Sequence, residues 1–277
     1  MLAIEPILDL GQSVLIVAFR LSGLLLFSPV LAGAALPRQF KIALVVILAA
    51  ALFPGVDESW QRPQHFSLLT LGQLMVTETL IGAAIGLIAS LPIVAAQIGG
   101  QIIGQQMGLG LAQIFNPEFE TNTGVIDQLM FYTALAVFIS LGGLEAIFVA
   151  MMNTYDHVPL GAMTFRAVPL ELLAGTLSAG FEIAFRIAMP VVSIMVIETV
   201  ASGVLMKTIP QINVLSVGFA LKTMAGLFTM AIAAATMFMV FGEEAERVLW
   251  LLSDWTGLGG MGPGEGIAAA AEGPGRG

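Results

Sequence analysis

Cysteine is absent from the 277-residue chain, and histidine occurs only twice. The absence of cysteine excludes disulfide bridges, thiolate nucleophiles and cysteine-ligated metal centres. Charged residues are also scarce, at 10% of the chain, whereas a typical soluble domain contains about 25%. The 19 acidic residues outnumber the 10 basic ones, so the chain has no basic excess to neutralise nucleic-acid phosphates. The composition therefore excludes cysteine chemistry and argues against a nucleic-acid partner.

Catalytic and cofactor motifs are missing as well. The two histidines, His65 and His157, lie far apart in the sequence, and neither has a second ligand at metal-binding spacing. The chain contains no GxxxxGK[ST] phosphate loop and no G-x-S-x-G nucleophile elbow. We therefore expect a protein that is not an enzyme and that holds no metal and no cofactor.

The chain is instead rich in apolar residues, which make up 57% of it. They gather in six blocks, at residues 7–36, 42–53, 68–103, 125–152, 170–206 and 212–241. A membrane-spanning helix requires about 20 apolar residues, so five blocks are long enough and the second is too short to span upright. The pattern predicts an all-α membrane protein.

Several charges lie inside these apolar blocks, namely Arg20, Glu78, Glu182, Arg186 and Glu198. A charge at the centre of a bilayer costs at least about 2.5 kcal/mol, so these side chains are expected to face protein or water. Glu182 and Arg186 are four residues apart and share a helix face, which predicts a buried ion pair. A role of the two residues in an ion pathway is the alternative.

Two stripes of residues mark the end of the third block. If residues 96–112 form one helix, small side chains recur at every fourth position, at Ala96, Gly100, Gly104, Gly108 and Ala112. Such a stripe lets another helix approach closely, and close packing drives helix association in an apolar medium. Beside it runs an amide stripe, Gln97, Gln101 and Gln105, which is expected to form bonds between helices or to line a wet lumen, because buried amides need partners.

Three stretches of the chain together resemble one known family. The first is AQIGGQIIGQQMGLGLAQIFNP. The second is an RxSG, proline and lysine pattern at Arg20, Ser22, Gly23, Pro29, Pro37 and Lys41. The third is IPQINVLSVGFALK, which contains Pro210, Gln211, Asn213, Gly218 and Phe219. In order and spacing, over residues 20–222, they resemble the FliR family of the flagellar type III export apparatus, which is related to the virulence-type SctT/YscT export proteins.

This resemblance implies an architecture and a set of partners. A FliR-like chain is similar to a FliP-like helical hairpin region, here residues 1–169, joined to a FliQ-like hairpin, here residues 170–242. Residues 243–277 are acidic and then rich in glycine and alanine, and we expect a disordered tail. The implied partners are FliP-like and FliQ-like subunits, FlhB-like and FlhA-like proteins, and flagellar proteins in transit. The implied location is the bacterial inner membrane at the flagellar basal body.

The resemblance also implies a role for the apolar loop that follows the small-residue stripe. In the family this loop projects into the lumen of the export gate and helps to plug it. The corresponding residues here are Gly108, Leu109, Gly110, Leu111, Ile114, Phe115, Asn116, Pro117 and Phe119. The chain departs from the family pattern at Asn116, where the family has aspartate, and at Ala220, where it has proline. The first departure removes a carboxylate, and the second removes a helix break.

Alternatives from other functional classes stay open at this point. A secondary transporter for a small solute would use Glu78, Glu182, Arg186 and Glu198 as a site near the membrane midplane, but no repeat supports it. A membrane scaffold without a conduit and a virulence-type export subunit are the other two. Pro-Gln-x-Asn followed by Gly218-Phe219 favours the flagellar branch.

Overall fold

The computed structural model describes residues 5–28, 37–56, 66–109, 124–158, 160, 170–208 and 214–255. Over these ranges the chain is helical and has no strand, which confirms the all-α prediction. The helices are α1 (Glu5–Phe27), α2 (Arg38–Leu52), α3 (Leu68–Gln106), α4 (Val125–Ser140), α5 (Gly143–His157), α6 (Leu170–Thr208) and α7 (Val214–Trp255). A 3₁₀ turn at Phe53–Gly55 follows α2.

Several of these helices can cross a membrane. Four stretches of the described residues are long and apolar enough: Arg38–Gly55, Leu68–Gln106, Ala174–Leu205 and Val217–Leu252. The pair α4 and α5 provides a fifth if the two helices form one interrupted span. In α1 the apolar stretch Gly11–Phe27 is shorter, and residues 29–36 of the first block lie outside the described residues. The expectation of a membrane protein is confirmed.

The structure corrects the expectation that the second apolar block is too short to span. The helix begins at Arg38, four residues before the block, and the 3₁₀ turn lengthens the stretch to 18 residues. Pro37, with φ of −56°, is the N-cap residue, and its fixed φ suits a helix start. The long stems of Arg38 and Lys41 can pack along apolar surface while their charges stay in the polar region, so they add to the usable length.

The fourth block is divided, which its composition does not reveal. The helix ends at Ser140, and a new helix begins at Gly143. Between them Gly142 has φ of +76°, a left-handed backbone conformation that glycine adopts without strain. The pair of glycines at 142 and 143 therefore interrupts a segment that is otherwise continuously apolar.

The seventh helix is longer than the sixth apolar block. α7 continues through residues 243–255, which the sequence analysis assigns to the start of the tail. Four apolar residues in this extension are buried and recur with helical spacing: Ala245, Val248, Leu249 and Leu252. They form one apolar face, while the acidic residues occupy the other faces. Residues 256–277, the glycine- and alanine-rich part of the tail, lie outside the described residues.

Three helices are much longer than a hydrocarbon core is thick. α3 and α6 have 39 residues each and α7 has 42. At 1.5 Å per residue these helices measure roughly 60 Å, whereas the hydrocarbon core of a bilayer is about 30 Å thick. Each helix therefore extends well beyond the hydrocarbon core or lies strongly inclined within it.

The described helices fall into two compact units. The first contains α1, α2, α3 as far as Leu91, α5, the start of α6 to Leu177 and the end of α7 from Glu246. The second contains α3 from Pro92, α4, α6 from Ser178 and α7 to Ala245. The division into FliP-like and FliQ-like parts concerns ancestry rather than compactness, and it stays a prediction.

Within the first unit, α1 and α3 approach each other through glycines. A methyl group added at Gly82 would overlap the carbonyl group of Arg20 and lie 2.9 Å from the backbone nitrogen of Leu24. A methyl group at Gly23 would likewise lie 2.8 Å from the backbone nitrogen of Ala83. The two backbones are thus in direct contact, as small-residue packing in membrane proteins allows.

Replacing Gly82 by alanine is expected to destabilise the chain by roughly 1–3 kcal/mol, because the backbone of α1 must move to make room. Gly72→Ala is the matched control on the same helix, since nothing lies within 4 Å of an added methyl group there. The control is expected to be neutral or stabilising by up to about 1 kcal/mol, from helix propensity alone. Thermal unfolding in detergent measures both variants, and equal midpoints would contradict the close contact.

Candidate functional site

A buried cluster of polar side chains centres on Arg20 in the first unit. Arg20 is fully buried, and its Nε donates to Glu78 Oε2 at 2.5 Å. Its Nη1 donates to Thr154 Oγ1 at 3.3 Å, and its Nη2 donates to the carbonyl oxygen of Val158 at 3.1 Å. The guanidinium carbon also lies 4.6 Å from the centre of the Tyr155 ring. One side chain therefore connects α1, α3 and α5.

The cluster satisfies each requirement of a charge in an apolar environment. Glu78, whose side chain is only 2% exposed, supplies the opposite charge. Val158 follows the last turn of α5, where carbonyl groups lack helical partners and the helix dipole favours a cation. The face of Tyr155 adds a cation–π contact. The sequence identifies Arg20 and Glu78 as internal charges but not as partners, because 58 residues separate them.

The ion pair predicted at Glu182 and Arg186 forms, but it is not buried. Arg186 Nη2 lies 3.5 Å from Glu182 Oε1, and the two side chains are 52% and 74% exposed. Arg186 also lies 3.8 Å from Glu244 of α7. The helical spacing gives the correct pairing, but spacing cannot show which face of α6 is covered. In the described chain the buried ion pair is Arg20 with Glu78.

Glu198, also on α6, is a different case. Its side chain is buried, and Ser202 donates a hydrogen bond to its Oε1. Its second oxygen, Oε2, has no partner among the described residues. No group of three or more histidine, aspartate or glutamate side chains in the described part of the chain is placed to hold a metal ion.

The small-residue stripe is only partly helical. Ala96, Gly100 and Gly104 lie on α3, which ends at Gln106, so Gly108 lies beyond the helix; Ala112 is outside the described residues. A methyl group at Gly100 would lie 2.8 Å from Asp127 Cα, whereas one at Gly104 would meet nothing closer than 3.8 Å. The close approach to α4 therefore occurs at Gly100, and Gly104 leaves space.

Gly99 makes a second close contact that the stripe does not include. A methyl group there would lie 3.0 Å from the carbonyl oxygen of Ala184 on α6. The adjacent glycines 99 and 100 thus face two different neighbours, α6 and α4. This pair lets α3 pack closely on both helices in the second unit.

Gly108 ends α3 with a defined set of hydrogen bonds. Its φ is +78°, its N–H donates to the carbonyl of Gln105 at 3.0 Å, and the N–H of Leu109 donates to the carbonyl of Gly104 at 3.1 Å. These two bonds with a left-handed glycine form a Schellman motif, which stops a helix. Gly108 is therefore a fixed helix end, and the chain enters the apolar loop from a firm anchor.

Helix α7 holds this anchor in place. Met107 is fully buried, and a methyl group at Gly226 would lie only 2.5 Å from its Cγ. A methyl group at Gly108 would lie 3.7 Å from the ring of Phe219. Two sequence stretches that resemble one family, one around Gly108 and one around Phe219, therefore meet in the second unit.

The amide stripe lies mainly on the surface of the described chain. Gln101 and Gln105 are exposed, and Gln97 is half-buried. In the first unit Ser22 donates to the carbonyl of Phe19 at 2.8 Å, and Gly23 is buried. Of the other candidate residues, Lys41 lies in the first turn of α2 and Gly218 lies on α7, whereas Pro29, Gly110, Leu111, Ile114, Phe115, Asn116, Pro117, Phe119, Pro210, Gln211 and Asn213 lie outside the described residues.

Comparison with known proteins defines the class to which this all-α membrane chain belongs. The profile of a family described as bacterial export proteins, family 1, matches residues 12–248. This match covers most of the chain, including both glycine contacts and the Arg20 cluster. The chain belongs to this family of bacterial export proteins.

Individual relatives narrow the class further. The flagellar biosynthetic protein FliR of Bacillus subtilis is 27% identical over 245 residues, covering 85% of this chain and 91% of that protein. FliR of Escherichia coli is 26% identical over 212 residues, covering 76% and 80%. The secretion system apparatus protein SsaT of Salmonella typhimurium is 25% identical over 202 residues, covering 73% and 74%. The resemblance to the FliR family is confirmed, and none of these three names describes an enzyme.

The double substitution Arg20→Met with Glu78→Leu is expected to be more stable than Arg20→Met alone. The single variant leaves a buried carboxylate without its cation, which typically costs about 3–5 kcal/mol, whereas removing both charges is often close to neutral. Thermal unfolding of the three proteins in detergent measures the difference. A double variant that is less stable than the single one would show that the two side chains do not compensate each other.

Proposed function

We propose that this protein is a subunit of the flagellar type III protein-export gate, where it helps to form and seal the conduit for unfolded flagellar proteins. The observation that supports this most strongly is the similarity to flagellar biosynthetic FliR proteins over 85% of the chain. The subunit has no catalytic role in this proposal. Energy for export comes from other components of the apparatus.

The local structure supports a seal after α3. α3 is packed against α4 and α6 through Gly100 and Gly99, and its end is fixed by the Gly108 motif and by α7. The sequence that follows is uncharged up to Pro117 and contains Leu111, Ile114 and Phe115. An apolar constriction closes a pore by excluding water and needs no charge. We therefore assign residues 108–119 to a plug that is anchored at its N-terminal end.

The exposed amides support a conduit next to this plug. Gln101 and Gln105 are uncharged hydrogen-bonding groups on the surface of α3, one and two turns before its end. Amides can bond to the backbone of any unfolded chain that passes, without selecting for its side-chain charge. In the proposed gate these side chains line the wet part of the lumen or bond to neighbouring subunits.

Partners are expected from the surfaces of α6 and α7. Large apolar side chains are exposed along both helices, including Phe185, Ile197, Phe228 and Ile232. Helices of roughly 60 Å cannot bury this surface in a hydrocarbon core of about 30 Å, so protein must cover part of it. We propose that FliP-like and FliQ-like subunits cover it, with FlhB-like and FlhA-like proteins nearby, in the inner membrane at the flagellar basal body.

The secondary-transporter alternative finds no support in the described residues. Glu78, one of its four proposed charges, is engaged by Arg20. Glu182 is largely exposed on α6, where lipid or protein would surround it, and not gathered in a substrate pocket. A virulence-type export gate is closer to the proposal, since SsaT is also a relative, and it would work by the same plug.

Deleting residues 111–119 is expected to leave the gate assembled but leaky, because the apolar plug is removed while the anchor at Gly108 remains. The chain is co-expressed with its FliP-like and FliQ-like subunits, purified as a complex and placed in liposomes, where dye and ion efflux are measured. Ile114→Ser with Phe115→Ser is expected to leak less than the deletion, because most of the plug is kept.

Two results would contradict the proposal. An assembled deletion complex that retains dye and ions as well as the intact complex would place the seal elsewhere. A wild-type chain that fails to purify with FliP-like and FliQ-like subunits would remove it from the gate altogether.

A further inference from the structure

An elongated apolar groove runs along the second unit, and neither the conduit nor the plug uses it. Its volume is about 490 Å³. One wall is α4 from Leu129 to Val137, and the other is α7 from Leu227 to Phe241, while α3 and α6 contribute one residue each. All four helices are parts of the apolar stretches that can cross a membrane. The groove therefore lies in the part of the molecule that bilayer lipid surrounds.

The groove offers a ligand no polar partner. Thr133 is its one hydroxyl-bearing lining residue, and that hydroxyl already donates to the carbonyl of Leu129 at 2.8 Å. The remaining lining is aliphatic, aromatic or thioether, with Met130, Met230 and Met237 among it. Methionine side chains are flexible and adapt to apolar ligands of irregular shape. The chemistry selects an uncharged hydrocarbon.

The dimensions decide between a hydrocarbon chain and a partner helix. The 14 residue steps from Leu227 to Phe241 correspond to about 21 Å of helix, so the groove has a mean cross-section of roughly 23 Å². An α-helix with side chains is about 10 Å across, which gives a cross-section of roughly 80 Å². A helix is therefore too wide to enter, whereas a single extended alkyl chain is narrow enough.

We propose that the groove binds one acyl chain of a membrane phospholipid. The chain lies along α7 between Leu227 and Phe241, with α4 on its other side. Phospholipid is the occupant because the groove faces the bilayer and contains no cation to hold the carboxylate of a free fatty acid. The bound chain fills space that the protein leaves empty and so stabilises the packing of α4 on α7.

The test is photo-crosslinking with a phosphatidylethanolamine that carries a diazirine on one acyl chain. The full chain, in nanodiscs of phosphatidylethanolamine and phosphatidylglycerol, is irradiated, and the labelled peptides are identified by mass spectrometry. Ala234→Phe fills the groove, and Ala235→Phe is the matched control because residue 235 is exposed on the same helix but does not line the groove. Displacing two methylene groups corresponds to about a tenfold loss of labelling.

The expected result is labelling of the 129–137 and 227–241 peptides in the wild type and in Ala235→Phe, with about a tenfold loss in Ala234→Phe. Thr133→Phe, on the opposite wall, is expected to reproduce the loss, which covers the case that Ala234→Phe does not fold. Equal labelling of Ala234→Phe and Ala235→Phe would show only general lipid contact and would overturn the proposal. Crosslinks from the groove to a FliP-like or FliQ-like subunit in the co-purified complex, in place of lipid, would overturn it as well.

Discussion

A buried charge pair is the constraint on which the first unit depends. Arg20 is fully buried and has no alternative partner in a lipid environment, so Glu78, Thr154 and the end of α5 must all be in place around it. The glycine contact between α1 and α3 brings the two charges within reach, because Gly82 touches the carbonyl group of Arg20 itself. Close backbone packing and charge pairing therefore support each other, and a substitution that disturbs one is transmitted to the other.

The second unit uses close packing to fix the start of a functional loop. Hydrophobic burial contributes little to helix association within lipid, so packing at small residues takes its place. The pair of glycines at 99 and 100 admits α6 and α4 to opposite sides of α3, and Met107 is held against Gly226 of α7. Together they fix the Schellman motif at Gly108, from which the proposed plug begins. A plug that must open for a passing chain and close again benefits from a rigid base.

Much of this organisation could be predicted from the sequence. Apolar length gave the helices and the membrane setting, and three spaced motifs gave the family. Partners and boundaries were harder, because they depend on contacts that local spacing does not encode. Glu182 and Arg186 were correctly paired from their i,i+4 spacing, but their exposure depends on which face of α6 is covered. The pairing of Arg20 with Glu78 spans 58 residues, and the continuation of α7 to Trp255 rests on a periodic apolar face hidden among acidic residues.

The most direct test of the account asks whether the end of α3 meets an exported protein. A photo-crosslinking amino acid, p-benzoylphenylalanine, is placed at Leu109, next to the helix end, and in a separate variant at Val46, an exposed apolar residue of α2. Cells are irradiated while a flagellar export substrate is arrested in the apparatus. The account predicts an adduct between substrate and position 109 and none at position 46. Export-competent cells that give no adduct at position 109, or equal adducts at both positions, would contradict it.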